Sequence, residues 1–180
     1  LEPRSALSSL RTALFRLNAG SALLDTGPGY IALAEHVAVD VHGLEAFARR
    51  LIDGPVPDAD GSESIRRLTM AILPDCDDDW LRLERDRLRD LFLHAIEAHA
   101  RRLSAGGDYA RALEAAHAAL AADSVRETAA ATLITIHLAE GNRPQAVRTY
   151  RDFRQRLRAI IDVEPADELR ALVAPYLSDA

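Results

Sequence analysis

A repeat in the second half of the chain places the strongest constraint on its fold. The stretch Gly107-Asp-Tyr-Ala-Arg-Ala-Leu113 aligns with Gly141-Asn-Arg-Pro-Gln-Ala-Val147, at an offset of 34 residues. In both stretches a glycine can end one helix, and the Asp or Asn after it can cap the next. A recurrence at this distance indicates that the chain builds the same pair of helices twice.

The 34-residue spacing is the period of tetratricopeptide repeats, which are helix–turn–helix units. Stacked units of this kind bury a shared core between neighbouring repeats and leave a concave face. We therefore predict a mainly α fold, in which a short helix and a β-hairpin precede a tetratricopeptide-like helical array. The alternative is an ordinary helical bundle whose helices happen to have equal lengths.

Composition supports a helical chain and limits its chemistry. Apolar residues make up 48% of the 180 residues but aromatic residues only 5%, so the core must be aliphatic. The net charge of −6 excludes a generic nucleic-acid coat, because such binding rests on neutralising phosphates, and any DNA contact must be local. The single cysteine, Cys76, excludes an internal disulfide framework and a cysteine zinc site. Since we find no signal peptide and no membrane-spanning run, we expect a cytoplasmic protein without membrane contacts.

The N-terminal region predicts a helix with one apolar face. Leu7, Leu10 and Leu14 recur at helical spacing within the stretch from Arg4 to Leu17. These leucines need a hydrophobic partner: either another surface covers them, or this helix is displaced from the position expected for it.

Shorter elements follow this helix. Apolar runs at 22–24 and 30–33 flank Asp25-Thr-Gly-Pro-Gly29, which is typical of a hairpin turn. The run Val37-Ala-Val-Asp-Val41 predicts another short extended segment. The polar loop from Gly54 to Gly61 has the length and composition of a domain boundary.

Helical spacing dominates the rest of the chain. Predicted helices cover about 42–52, 62–73, 80–104, 108–120, 124–140 and 142–161, with a last short helix near Pro165. Ser124 and Glu127 predict a capping box, in which the hydroxyl and the carboxylate satisfy backbone donors. Pro144 is compatible with the first turn of its helix.

A set of spaced residues resembles the bacterial transcriptional activation domain of SARP-type regulators. The set opens with Trp80-Leu-Arg-Leu-Glu-Arg85 and closes with Val163-Glu-Pro165. Between them stand Leu88-Arg89, Ala112-Leu113, Asp123, Arg126-Glu127, His137, Gly141, Ala146, Tyr150 and Leu157. The resemblance extends from about residue 40 to the C-terminus. One departure is Asp162, where that family usually has a glycine.

In that family a tetratricopeptide-like array follows a winged-helix DNA-binding domain. The resemblance therefore implies that residues 1–41 are the C-terminal part of a winged helix and that residues 42–180 are the activation domain. The helix from Ala6 to Leu17 resembles the recognition helix, and the hairpin from Leu23 to Leu33 resembles the wing. The first sheet and first two helices of a winged helix have no counterpart in this sequence, and Asn18-Ala19-Gly20 stands where basic residues are usual.

A recognition helix presents a polar, partly basic face to the major groove, where hydroxyls and arginines can contact phosphates or base edges. The residues that we predict to contact DNA are Arg4, Ser5, Ser8, Ser9, Arg11, Thr12 and Arg16. A solvated helix face is the alternative interpretation.

A second set of residues is predicted to pack the helical array rather than to bind a ligand. These residues are Trp80, Tyr109, Ala112, His137, Gly141, Ala146 and Tyr150. For Trp80 the alternative is an anchor for a partner protein.

No residue pattern in the chain predicts catalysis, a metal site or a cofactor. The acidic run Asp75-Cys-Asp-Asp-Asp79 lacks the glycine and the terminal glutamate of a calcium loop, so we interpret it as a solvated cluster at a helix start. His94 and His99 are five residues apart and do not share a helix face. We therefore expect that the protein is not an enzyme.

These predictions favour a transcriptional activator. In the intact protein the winged helix would bind promoter DNA, and the array would mediate homodimerisation and contact RNA polymerase or another protein. The alternative is a tetratricopeptide-type interaction or sensor scaffold that binds no DNA of its own, which the acidic charge balance favours.

Overall fold

The computed structural model describes residues 3–54 and 61–177, and these residues are mainly helical. The chain divides into two compact units, Leu1–Asp40 and Val41–Ala180. In chain order the elements are α1 (Pro3–Asn18), β1 (Leu24–Gly27), β2 (Tyr30–Leu33), α2 (Asp40–Asp53), α3 (Gly61–Leu68), α4 (Asp79–Ala105), α5 (Tyr109–Ala122), α6 (Glu127–Ala139), α7 (Arg143–Ile161), α8 (Asp167–Val173) and a 3₁₀ turn (Ala174–Tyr176). The predicted fold class, mainly α with an N-terminal helix and hairpin, is confirmed. The predicted boundary loop at 54–61 falls largely on residues 55–60, which lie outside the described residues.

The first unit joins α1 to a two-stranded antiparallel sheet. Its strands pair in register from Leu24 opposite Leu33 to Gly27 opposite Tyr30, which leaves a two-residue turn between them. In that turn Gly29 has a φ of +84°, a conformation that only glycine adopts at little cost. The hairpin predicted from the glycines and the proline is therefore confirmed.

The extended segment predicted at 37–41 is wrong. Residues 37–39 belong to neither a helix nor a strand, and α2 begins at Asp40. A carboxylate in the first turn stabilises a helix N-terminus, and this effect outweighs the strand preference of the neighbouring valines.

The second unit packs its helices around two apolar clusters. The first cluster combines buried residues of α2 to α6 and is centred on Phe92 and Ile96 of α4. The second combines α6, α7 and α8, with Phe153 and Leu157 at its centre. Helix α6 contributes to both clusters because it is apolar on nearly every side, so it lies in the middle of the array.

The 34-residue repeat is visible in the backbone. Gly107 and Gly141 both adopt a positive φ, +82° and +87°, and each ends the preceding helix. The next residues, Asp108 and Asn142, each accept a hydrogen bond at 3.3 Å from the backbone N–H three residues further on. Both predicted caps are confirmed, and α4–α5 and α6–α7 are two copies of one helix pair.

Helix α3 ends at Leu68 rather than at Leu73 as predicted. The backbone of Leu73 is left-handed, with a φ of +46°, which is incompatible with a continuing helix. The guanidinium of Arg85 donates hydrogen bonds to the carbonyls of Ile72, Leu73 and Cys76. These long-range bonds stabilise a loop where the local pattern alone predicts helix.

The predicted capping box at Ser124 and Glu127 is also wrong. Helix α6 begins at Glu127, and no side chain caps its N-terminus. The Glu127 carboxylate instead accepts a hydrogen bond at 2.8 Å from the backbone N–H of Ala166, which precedes α8. Because Arg126 occupies the N-cap position, Ser124 lies too far before the helix to cap it.

The connection between α7 and α8 turns at Asp162, which has a φ of +55°. Only a few residue types visit this left-handed region, which explains why glycine suits this position better. Beyond the turn, Glu164 forms ion pairs with Arg154, at 2.6 Å, and with Arg158, so the connection folds back onto α7.

Candidate functional site

The predicted DNA-contact residues lie together on α1. At 3.6 residues per turn, the seven positions fall on one side of the helix. Ser8, Ser9, Arg11, Thr12 and Arg16 are all exposed. Arg4 and Ser5 belong to the helix, but their side chains lie outside the described residues.

This face of α1 is polar and carries two cations, and the exposed side chain of Phe15 interrupts it. Within residues 3–54 and 61–177, neither Arg11 nor Arg16 forms an ion pair. The Thr12 hydroxyl donates to the carbonyl of Ser8 at 3.0 Å, which leaves its oxygen able to accept. Such a face can place guanidiniums on phosphates or base edges and can add hydroxyl contacts beside them.

Asn18 fixes the hairpin to the end of α1. Its side-chain amide donates to the carbonyl of Leu24 at 2.9 Å, and its side-chain oxygen accepts from the N–H of the same residue at 3.0 Å. The sequence indicates only that Asn18 ends the helix. The pair of bonds shows that it also sets where the first strand begins relative to the polar face.

The other face of α1 is apolar and uncovered within its own unit. Leu7 is 56% exposed and Leu10 45% exposed, and no residue from 6 to 40 is buried. This exposure is consistent with the expectation that these leucines need a partner. Among the described residues of the first unit, no layer of structure covers them.

The residues predicted to pack the array lie in the second unit. Ala112, His137, Ala146 and Tyr150 are buried, Tyr109 is half-buried beside the first cluster, and Gly141 makes the turn into α7. That these residues serve packing rather than ligand binding stays a prediction.

Trp80 departs from the packing prediction. It is 64% exposed, whereas the next residue, Leu81, is 2% exposed and takes the inward position in the first turn of α4. Leu83, one turn further on, is 77% exposed. Trp80 and Leu83 therefore form an outward-facing apolar pair, because residues three apart lie on the same side of a helix.

Two histidines are buried in the array. Burial lowers the pKa of His137, while the Glu140 carboxylate, 3.9 Å from Nδ1, raises it by a smaller amount. Neither ring nitrogen of His137 has a hydrogen-bond partner among the described residues. Burial also lowers the pKa of His99, and the nearby charges of Arg102 and Arg111 lower it further.

A buried ion pair links α4 to the start of α6. Glu97 is 1% exposed and accepts from Nε of Arg126 at 2.7 Å and from the Thr128 hydroxyl at 2.9 Å. Burial alone would lower the pKa of Arg126, but its hydrogen bonds to Glu97 and Asp90 raise it. The sequence contains no signal for this pair, since the two residues are far apart in the chain and Glu97 sits in an ordinary helical pattern.

No three His, Cys, Asp or Glu side chains among the described residues converge as ligands for a metal ion. None of the described helices is both long and apolar enough to cross a bilayer.

Comparison with protein families identifies the helical array. The family model of the bacterial transcriptional activator domain matches residues 62–175, which is more than half of the chain. The chain belongs to the bacterial transcriptional activator domain family. The matched region runs from α3 to α8 and includes both copies of the repeated helix pair, and the family is associated with transcriptional activation. A comparison with curated proteins found no match to the chain.

Proposed function

We propose that the intact protein is a DNA-binding transcriptional activator of the SARP type. In this proposal residues 1–41 supply the recognition helix and wing of a winged-helix domain, and residues 42–180 form the activator domain. One observation carries the proposal: an exposed polar face with two unpaired arginines, Arg11 and Arg16, precedes a hairpin and then the activator domain.

The proposed contact assigns a role to each face of α1. The polar face enters the major groove, where Arg11 and Arg16 bind phosphates or guanine edges and the serines contact the backbone. The apolar face, with Leu7 and Leu10, packs on the remainder of the winged helix. Because the chain has a net charge of −6, its attraction to DNA is confined to this face rather than spread over the surface.

The activator domain has a separate role in this proposal. It mediates homodimerisation and contacts RNA polymerase or another protein of the transcription machinery. The outward-facing pair of Trp80 and Leu83 supports such a role, because exposed aromatic and apolar side chains are enriched where proteins associate.

The test begins with selection of a binding sequence from a random duplex library by the intact protein. The enriched duplex is then used in mobility-shift titrations with the Arg11→Ala/Arg16→Ala variant. We expect at least about a tenfold loss of affinity, because each good arginine contact to a base contributes about 1–3 kcal/mol of discrimination. Both side chains are exposed, so the variant retains its fold.

The matched control is Arg49→Ala/Arg67→Ala, which removes the same charge from exposed positions on α2 and α3. Unchanged affinity in the α1 variant, or an equal loss in the control, would overturn the assignment of the polar face.

The second candidate function is an interaction or sensor scaffold without DNA binding. The acidic balance of the chain supports it, because a net charge of −6 repels a polyanion. A library selection that enriches no sequence would favour this function over the first.

A further inference from the structure

Helix α7 concentrates positive charge in an acidic protein. It contains six arginines and a single aspartate, whereas the whole chain has a net charge of −6. Arg154 and Arg158 are paired with Glu164. Arg143, Arg148 and Arg151 are exposed and form no ion pair among the residues that the structure describes.

These three arginines line one groove at the N-terminal part of α7, which we call the arginine groove. The groove has a volume of about 480 Å³, and its apolar surface comes from Pro144, Val147 and Tyr176. The guanidinium carbon of Arg143 lies 5.4 Å from the centre of the Tyr176 ring, in a cation–π contact. The groove therefore combines three unpaired cations with an aromatic and aliphatic surface.

This combination selects the chemistry of a ligand. Guanidinium groups bind carboxylates and phosphates, so the ligand is acidic. Asp152 also lines the groove and offsets part of its positive charge. The apolar surface suits a ligand that carries a bulky apolar side chain next to its acidic groups, so an acidic peptide segment fits better than a nucleic-acid backbone.

The chain itself contains such a segment, from Asp75 to Leu83, which we call the acidic segment. The carboxylates of Asp75, Asp77, Asp78 and Asp79 are exposed. Among the described residues only Asp79 forms an ion pair, with Arg82 at 2.6 Å, and Asp78 accepts a hydrogen bond from the Cys76 thiol at 3.5 Å. The exposed side chains of Trp80 and Leu83 follow directly. The hydrogen bonds from Arg85 to the loop carbonyls hold the start of the segment in a defined shape, which lowers the entropic cost of binding.

The groove and the segment lie on helices that are not neighbours in the array. Helix α4, which carries the segment, packs against α3, α5 and α6, whereas α7 packs against α6 and α8. The residues that line the groove include none from the acidic segment. Within one molecule the acidic segment therefore does not line the groove.

We propose that the arginine groove of one copy of this chain binds the acidic segment of a second copy. Arg148 and Arg151 pair with the aspartates, and Trp80 packs against the apolar surface of the groove. If two copies make this contact reciprocally, they close an isologous two-fold dimer, whereas one contact per pair of copies is heterologous and builds a longer assembly. This inference deepens the homodimerisation in the proposed function and is independent of DNA contact by α1.

The test is sedimentation velocity of the full chain over a concentration series, with three proteins. The groove variant is Arg148→Glu/Arg151→Glu, and the segment variant is Asp75→Arg/Asp77→Arg. We expect the wild-type chain to associate and each variant alone to associate at least about tenfold more weakly, since like charges then face each other. An equimolar mixture of the two variants restores association, because the reversed groove and the reversed segment are again complementary.

Salt gives an independent measurement. Association of the wild-type chain weakens between about 0.1 M and about 1 M NaCl, where the Debye length falls from about 10 Å to about 3 Å. The control variant Arg49→Glu/Arg67→Glu changes the net charge by the same amount on other surfaces and keeps the association of the wild-type chain. Circular dichroism checks that all variants keep their helices.

Three results would overturn the proposal: a wild-type chain that is monomeric throughout the series, a groove variant that associates like the wild type, or a mixture that restores nothing. Loss of binding to the library-selected duplex in the groove variant, with unchanged self-association, would assign the groove to nucleic acid instead. Because the α1 variant and the groove variant are measured in both assays, failure of this contact is distinguishable from failure of DNA binding by α1.

Discussion

The two units of this chain contain helices of similar amphipathic pattern but use them differently. In the first unit no residue from 6 to 40 is buried, and Leu7, Leu10 and Phe15 are exposed. In the second unit, apolar positions of the similarly amphipathic α7, such as Phe153 and Leu157, are almost completely buried. The comparison shows that the pattern decides which face of a helix can be buried, whereas burial itself requires a second layer of structure. One helix and a two-stranded hairpin do not supply that layer.

The test with the largest expected effect on stability replaces one phenylalanine in each unit. Phe153 is 1% exposed and Phe15 is 76% exposed. We expect Phe153→Ala to reduce the free energy of unfolding by about 3–5 kcal/mol, because it leaves a cavity in the second cluster. Phe15→Ala is expected to change it little, as measured by urea denaturation of the full chain. Equal losses in the two variants would show that α1 is packed as tightly as α7.

A second test compares arginines. Arg126→Met leaves the carboxylate of Glu97 buried without its main partner, and we expect a loss of about 3 kcal/mol, at the lower end for a broken buried pair because Arg101 remains nearby. Arg16→Met, in the first unit, removes an exposed side chain and is expected to leave the denaturation midpoint unchanged. If the denaturation midpoint of Arg126→Met were close to that of the wild type, this ion pair would not stabilise the packing of α4 against the start of α6.

A third test uses pH. The folded-state pKa values of His99 and His137 lie below the unfolded value because both rings are buried. The stability that they contribute is therefore fully present above the unfolded pKa of about 6.5 and is lost as the pH falls through 6.5 towards the folded values. Each histidine can change the free energy of unfolding by at most about 1.4 kcal/mol per pH unit.

The histidine test compares denaturation midpoints at pH values above and below this window. His137→Gln is expected to flatten the pH dependence, while His36→Gln, at an exposed position in the first unit, leaves it as in the wild type. A wild-type chain whose stability rises on acidification would contradict the direction of both shifts.

The smallest expected effects concern two left-handed backbone positions. Asp162→Gly relieves the backbone strain at a φ of +55° between α7 and α8, and we expect a gain of about 0.5 kcal/mol. Gly29→Ala places a side chain at a φ of +84° in the hairpin, and we expect it to weaken the first unit by about 1 kcal/mol. Thermal denaturation measures the first change, and amide exchange of the strand residues measures the second. A loss of stability in Asp162→Gly would show that the aspartate side chain makes a contact that offsets the strain.

Local patterns in the sequence predicted those elements whose cause is local. The glycines at 107 and 141 and the caps after them lie where their spacing places them, because a helix end depends on a few adjacent residues. The hairpin followed from the proline and glycines of its turn for the same reason. The face shared by Ser8, Thr12 and Arg16 also followed from helical periodicity alone.

Elements whose cause is distant in the chain could not be predicted in this way. The loop after α3 accepts hydrogen bonds from Arg85, and the Glu127 carboxylate accepts one from Ala166, which lies 39 residues beyond it. Tryptophan is a residue type that often packs in a core. At the start of α4, however, the adjacent Leu81 takes the inward position when the helix packs on its neighbours, and Trp80 does not. In each case a contact across the array competes with a local preference of similar strength and outweighs it.

By itself, the sequence determined the helical repeat, the positions of its turns and the amphipathic faces, because these follow from short-range geometry and from the periodicity of apolar residues. Only the tertiary structure decided which of those faces are buried, which charges are paired and which arginines of α7 remain free to bind. Burial and ion pairing depend on surfaces that meet from distant parts of the chain, and no short-range pattern contains that information.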